Sequence, residues 1–449
     1  MDKLSERQVV KIWQMLLKDI SEITTEGGEL VKIIYPGRAN DDRGADFRDA
    51  VVATKQGLRH GDIEVHTKSS NWRAHQHHKD PFYNRVVLHV VMWCDDRSMC
   101  TLNNGDVVPV IALRRYVKVP VNLCFDGLYP PVTMSMPCVG VAKRWDEDIL
   151  AKFLDGAGEE RFFAKAGGFR ADLAQMEAAQ VLYRGIMGAL GYSKNKIPFT
   201  ELADRVPLRV LESIARDRPS DEDCLAYQQA LLLGVAGLLP SQRQSKYQGN
   251  SLHNNSWVNK LEELWSSFTQ IEAMSPEVWH LFRVRPSNSP VRRIIAMSYI
   301  VLRYRRRGVF EEMVNLIREA PVDNGCGRLE EGLIVAANGF DASLRIDSPT
   351  LLGKRRAADI VVNILLPFVF AWGKVTSQIE LERKAFNLYR GYSKLAVNSV
   401  EEHMRNQLGL NRNLVNSARR QQGLIHIYDT LCSQGKCNCC PLGKRVKLV

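Results

Sequence analysis

The feature that most constrains this chain is a change of hydrophobic period near its first third. From Leu30 to about Leu113 apolar residues come in short β-rich runs: Leu30–Tyr35, Asp46–Ala53, Asp62–Lys68, Val86–Trp93 and Val107–Leu113. Asp62-Ile63-Glu64-Val65-His66-Thr67-Lys68 alternates cleanly, as a half-buried strand does. From Trp145 onward the spacing is helical, over 145–165, 172–191, 198–217, 223–238, 257–271, 290–307, 309–318, 357–372, 378–388 and 399–407. A helix over residues 4–20, with Ser5 as a candidate N-cap, precedes the strands. The chain therefore reads as an α+β N-terminal domain (helix plus a central mixed sheet) over 1–118. A proline-rich linker follows over 119–144, then an all-α domain over 145–430 and a cysteine-rich tail over 431–449.

At 449 residues the chain exceeds one ordinary core. A net charge of +11 favours a polyanionic partner such as nucleic acid. The start, Met1-Asp2-Lys3-Leu4-Ser5, has no apolar segment of the secretory kind. The apolar stretch Ile360–Trp372 contains Asn363 and Pro367 and falls short of the ~20 residues of a spanning helix. A cytoplasmic protein without a membrane span is expected. Nothing in the sequence bears on oligomeric state.

Six of the ten histidines fall between residues 60 and 89, which marks this segment for chemistry. Asp46 opens a strand. Glu64 lies within the next, and His66 follows at i+2 on the same face. If these strands pair, the two carboxylates converge into a hard-oxygen site for Mg²⁺ or Mn²⁺. His66 would orient water or phosphate, Lys68 would support charge, and His89 could reach the same face. His75 and His78, three apart on a helix, could join Asp80 in a second site for Zn²⁺ or Mn²⁺. The competing reading is that each histidine merely caps or satisfies backbone. Trp72 and Tyr83 could stack on a base or simply pack the domain.

The order helix–strand–strand–strand–strand, with Asp46 and Glu64-Val65-His66 in matching places, resembles the PD-(D/E)XK nuclease superfamily over roughly residues 4–93. Ala45 stands where that family loosely prefers proline, and His66 where it usually has lysine. The resemblance implies a metal-dependent phosphodiesterase acting on DNA or RNA. Two alternatives stay open: an inactive nucleic-acid-binding or scaffold protein on that fold, or a His/Asp-metal hydrolase with a non-nucleic substrate.

Gly61-Asp62-Ile63-Glu64-Val65-His66, Ser69-Ser70-Asn71-Trp72, His77-His78-Lys79-Asp80-Pro81-Phe82-Tyr83-Asn84 and Leu88-His89-Val90-Val91 also resemble an uncharacterised bacterial family, catalogued as domain of unknown function number twenty-eight fifty-one. Leu190-Gly191-Tyr192, Leu232–Pro240 and Leu366-Pro367 fit the same family, so this likeness spans nearly the whole chain and implies no activity.

In the helical part, Arg283, Arg285, Arg292 and Arg293 are candidates for a nucleic-acid backbone, as are Arg305-Arg306-Arg307 and Lys354-Arg355-Arg356. A solvated basic face is the plainer reading of each cluster. Ten cysteines without a signal sequence argue against a disulfide framework. Cys432, Cys437 and Cys440 could bind Zn²⁺ or an iron–sulfur cluster with a fourth thiolate. Cys138 is the distant candidate and Cys439 the local one.

Overall fold

The computed structural model describes residues 4–17, 20–40, 42–117, 138–243, 256–281, 284, 288–321, 325–336 and 350–443. Two compact units emerge. The first comprises 1–158, 397–416 and 420–449, and the second 159–396 with 417–419. This division departs from the sequence expectation at both ends. The boundary falls inside a long helix, Glu147–Leu173, and not in the proline-rich linker, most of which lies outside the described residues. The C-terminal stretch returns to the first unit because its apolar residues Met404, Leu408, Leu424 and Leu442 share a core with Tyr35, Val51 and Leu150.

In the first unit, α1 (Glu6–Leu16) starts on a capping box between Ser5 and Gln8. A seven-stranded sheet follows. Its order is β1 (Glu22–Thr24), β2 (Leu30–Tyr35), β4 (Phe47–Thr54), β5 (Gly57–Lys68), β6 (Val86–Trp93) and β9 (Val110–Ala112), with β3 (Arg38–Ala39) also on β4. β2, β4 and β5 form an antiparallel meander, whereas β6 runs parallel to β5 and β9 parallel to β6. The crossover from β5 to β6 holds a four-residue helix, α2 (Asn71–Ala74), and two 3-10 turns, His77–Lys79 and Pro81–Tyr83. A small hairpin, β7 (Cys100–Thr101) with β8 (Val107–Val108), follows β6.

Alternation in β5 sorts the side chains. Ile63 and Val65 join Val9, Ile12 and Trp13 of α1 in one core. Glu64 and His66 point the other way, toward the crossover, and are 6% and 1% exposed. Burying a carboxyl and an imidazole this deeply costs several kcal/mol unless each finds partners.

Among its described residues the second unit is helical around one large core, apart from the short pair Val335–Ala336 with Thr350–Leu352. The expected helix over 198–217 is two, Lys196–Arg205 and Leu208–Asp217, because Pro207 cannot continue the first. Asp221–Gln242 and Lys354–Val375 are long and apolar enough to cross a membrane by length and composition. Their apolar windows are 83% and 61% buried in the fold, as in core helices. The second contains a π-turn, Val361–Leu365, just before Pro367, where the ring would otherwise meet the carbonyl four residues back.

Candidate metal centre

Strand register brings the two predicted carboxylates together. Phe47 pairs with Ile63, so Asp46 and Glu64 are the next pair outward. The Asp46 N–H donates to Glu64 Oε2 at 3.1 Å, and the Val65 N–H donates to Asp46 Oδ2 at 2.9 Å. Asn40 fixes the preceding loop by donating from Nδ2 to the Ala45 carbonyl at 2.8 Å. On the other side of β5, Glu64 pairs with His89 of β6, so that imidazole shares its face.

The crossover closes the site. His66 Nε2 and His77 Nε2 each lie 3.3 Å from Glu64 Oε1 and 3.3 Å from one another. His75 Nδ1 is 3.1 Å from His66 Nε2. The donor atoms of these three histidines all lie within 4.8 Å of one another. Gln76 explains how His75 and His77 both reach in. Its backbone is left-handed (φ 60°), a conformation uncommon for a side-chain-bearing residue, and it ends α2 one residue after His75.

Behind His66, Nδ1 is 2.9 Å from His89 Nε2, and His89 Nδ1 is 3.4 Å from Cys100 Sγ. If His66 Nδ1–H donates to His89, the His66 Nε2 lone pair faces Glu64, His75 and His77. That is how a second shell usually orients a ligating imidazole. Trp72 and Tyr83 wall the site: Tyr83 stacks on His77 at 3.8 Å between centroids, and Trp72 lies 5.0 Å from His89. Glu6, from the first turn of α1, comes within 4.0 Å of His66 Nε2. No local motif in the sequence announces Glu6.

Burial decides the charge states. It pushes His66 down to about 2, aided by His89, His77 and His75. It pushes His89 down to about 3 and His77 to about 4. The three imidazoles are thus neutral at pH 7, the state that offers a lone pair. Burial pushes Glu64 up to about 8, and burial with the nearby Glu64 charge pushes Asp46 up to about 7. Without an ion, the proton at neutral pH sits on Glu64.

A carboxyl whose folded pKa is raised contributes stability that is complete below its unfolded pKa near 4.5 and lost as pH rises through about 8. In chelator, Glu64→Gln should be more stable than the parent above pH 8. The gap should close toward pH 4.5, where both side chains are neutral. Urea denaturation midpoints across pH measure this, and a pH-independent gap would contradict it.

The other sequence candidates fall elsewhere. His78 lies off the cluster because the turn at Gln76 takes His75 and His78 out of helical register, and His77 occupies the inner position. Asp80 accepts from the Phe82 N–H at 3.0 Å and from Arg43 at 2.8 Å, so it caps a turn. Lys68 is exposed and pairs with Asp95 at 3.8 Å, away from the carboxylates. Trp72 is 1% exposed, with its indole N–H on the Thr101 carbonyl, and offers no face to a base.

Arg292 and Arg293 are buried. Arg292 donates to the Thr350 carbonyl, and Arg293 donates to the Leu351 carbonyl and the Tyr192 hydroxyl. They hold the edge strand Thr350–Leu352 and present no phosphate-binding surface. Arg283 and Arg285 lie outside the described residues. In the other basic clusters Arg305 pairs with Asp221 and Arg356 stacks on Tyr192. Cys138, Cys432 and Cys440 are buried in one core of the first unit, with Cys437 half-buried and Cys439 exposed.

Residues 6–395 match a family described as Protein of unknown function (DUF2851). The chain belongs to this family. No curated protein and no solved structure matches it. The segments by which the sequence resembles such a family divide into two jobs. Glu64, His66, His77 and His89 build the cluster. Ser70 binds Asp95, Asp80 caps a turn, and Asn84 accepts from the Asn103 N–H, all of which hold the crossover in place.

Proposed function

We propose that the first unit is a metal-dependent hydrolase of phosphodiester bonds, with Glu64, His66, His75 and His77 holding a divalent transition-metal ion. The observation that carries this reading is the convergence of Glu64 Oε1, His66 Nε2 and His77 Nε2 at 3.3 Å, with His75 Nδ1 adjoining. Three imidazoles and one carboxylate suit Zn²⁺, Mn²⁺ or Fe²⁺ better than Mg²⁺, which prefers oxygen alone. Such an ion acts as a Lewis acid and lowers the pKa of a bound water.

The chain's own groups supply the rest. Asp46, with a pKa near 7, can take a proton or return one at neutral pH, the property of a general acid–base group. His89 keeps His66 in the ligating tautomer. Trp72 and Tyr83 exclude water from the inner wall. A phosphodiester is favoured by element order and by charge. α1, the β2–β4–β5 meander, a short helix and a parallel β6 carry an Asp before β4 and Glu64-Val65-His66 on β5, an order that resembles that of PD-(D/E)XK nucleases. The net charge of +11 suits a polyanion.

The test is turnover of single- and double-stranded DNA and RNA, and of a chromogenic phosphodiester, with Mn²⁺, Zn²⁺ or Mg²⁺. Cleavage with Mn²⁺ or Zn²⁺, lost in Glu64→Ala, is expected. The histidine-rich donor set also suits a hydrolase of a non-nucleic ester. Turnover of carboxylic esters without phosphodiester cleavage would favour that second reading. Salt-dependent nucleic-acid binding with no turnover under any metal would mark a non-catalytic protein.

A further inference from the structure

A second set of candidate ligands in the first unit comes from the chain's cysteines. Cys432 ends a π-turn, Tyr428–Cys432, and the chain then runs to residue 443 through turns and one 3-10 turn. The Gly435 N–H closes on the Cys432 carbonyl at 3.0 Å, and the Cys440 N–H on the Cys437 carbonyl at 3.3 Å. Gly435 is left-handed (φ 64°), and a Cβ there would lie 2.8 Å from Val51 Cγ1, so this tail is seated directly on the sheet.

These turns bury Cys432 and Cys440 and leave Cys439 outside. Cys138, from a turn almost three hundred residues earlier, is buried in the same core. The Gln407 amide donates from Nε2 to Cys138 Sγ at 3.2 Å and also hydrogen-bonds Cys432, so a single side chain touches two of the thiols. Cys138, Cys432 and Cys440 share that core, and Cys437 lies between the two buried tail cysteines in sequence. Burial raises Cys432 well above the usual thiol range and Cys437 up to about 11, and in both the nearby cysteines push further. All four are free thiols.

Buried cysteines are often only small hydrophobes. Two observations speak for more. The inward positions follow C-x4-C-x2-C with a distant fourth cysteine, a spacing used by metal-binding thiolates. The segment after Cys432, which carries Cys437 and Cys440, has no helix or strand of its own beyond single turns, the situation in which small structures need a staple.

We propose that Cys138, Cys432, Cys437 and Cys440 ligate an iron–sulfur cluster, whose ligand sulfurs stand farther apart than those around a single Zn²⁺ ion, and that this cluster pins the C-terminal turns to the sheet. Gln407 is a positioning residue, its N–H···S bond steadying the sulfurs as outer-shell donors do. This centre is separate from the histidine cluster and stands whether or not the proposed activity is found.

The experiment uses the full chain, isolated anaerobically, as parent, Cys437→Ser, Cys439→Ser and His66→Ala. Cys437 is half-buried, so its serine variant keeps the packing. Zinc, iron and acid-labile sulfide are measured together with the visible spectrum. Expected is a coloured protein with iron and acid-labile sulfide in the parent, Cys439→Ser and His66→Ala, both lost in Cys437→Ser. A folded parent that takes up no iron with sulfide on reconstitution overturns the proposal. Equal iron and sulfide in Cys437→Ser and Cys439→Ser does the same.

Discussion

Replacing His66 with alanine is expected to lower metal affinity at the histidine cluster more than about 100-fold and to abolish any hydrolysis that depends on it. His66 is the hub: its Nε2 faces Glu64, His75 and His77, and its Nδ1 faces His89. Loss of an outer-shell partner typically costs 10–100-fold in metal affinity or activity, and loss of the ligand itself should cost more. His89→Phe provides the graded comparison. It keeps an aromatic volume against Trp72 but removes the acceptor for His66, and should fall in the 10–100-fold range. Titration with Zn²⁺ or Mn²⁺ by calorimetry, with circular dichroism to verify folding, reads both variants. If His66→Ala bound either ion as tightly as the parent, the cluster would not be a metal site.

The part of this site that could be read from the sequence is the part fixed by strand geometry. Alternation in Asp62–Lys68 put Glu64 and His66 on one face, and the short turn at Lys55–Gly57 made pairing with the Asp46 strand the simplest outcome. His89 was within reach because a largely apolar strand with one histidine has few places to turn it. What escaped was set by local backbone strain or by distant chain. Gln76 adopts a left-handed turn that neither glycine nor asparagine advertises, so helical spacing pointed to His78 when His77 is the inner residue. Glu6 arrives from a helix 58 residues before Glu64. The tryptophan and arginines with the look of a nucleic-acid surface are consumed by carbonyl groups that need donors, as at Thr101, Thr350 and Leu351. Residues 397–430 read as part of the all-α domain and 431–449 as a separate tail, and only their shared core with Tyr35 and Val51 assigns them to the first unit.

Gly61→Ala is expected to destabilise the first unit by about 3 kcal/mol, at the upper end of the usual overpacking range. A Cβ at residue 61 would lie 2.1 Å from the Arg85 carbonyl oxygen and 2.5 Å from Val87 Cγ1. The first of these is backbone and cannot swing aside. The same carbonyl accepts the Asp62 N–H at 2.8 Å, the bond that starts the parallel pairing of β5 with β6. Relief of the clash must therefore move one strand against the other, and Glu64 and His89 are a pair in that register. The glycine that opens Gly61-Asp62-Ile63-Glu64-Val65-His66 thus serves the site by letting two backbones approach. At roughly 2–4 °C per kcal/mol for a unit of this size, the melting temperature should fall by about 6–12 °C, with weaker metal binding. Gly156→Ala is the control in the same unit. It lies in the helix Glu147–Leu173 with nothing within 4 Å of the added Cβ, and should stabilise by roughly 0.5–1 kcal/mol through helix propensity. An alanine at 61 that melts with the parent and binds metal equally well would show that close approach of β5 and β6 does not hold the cluster together.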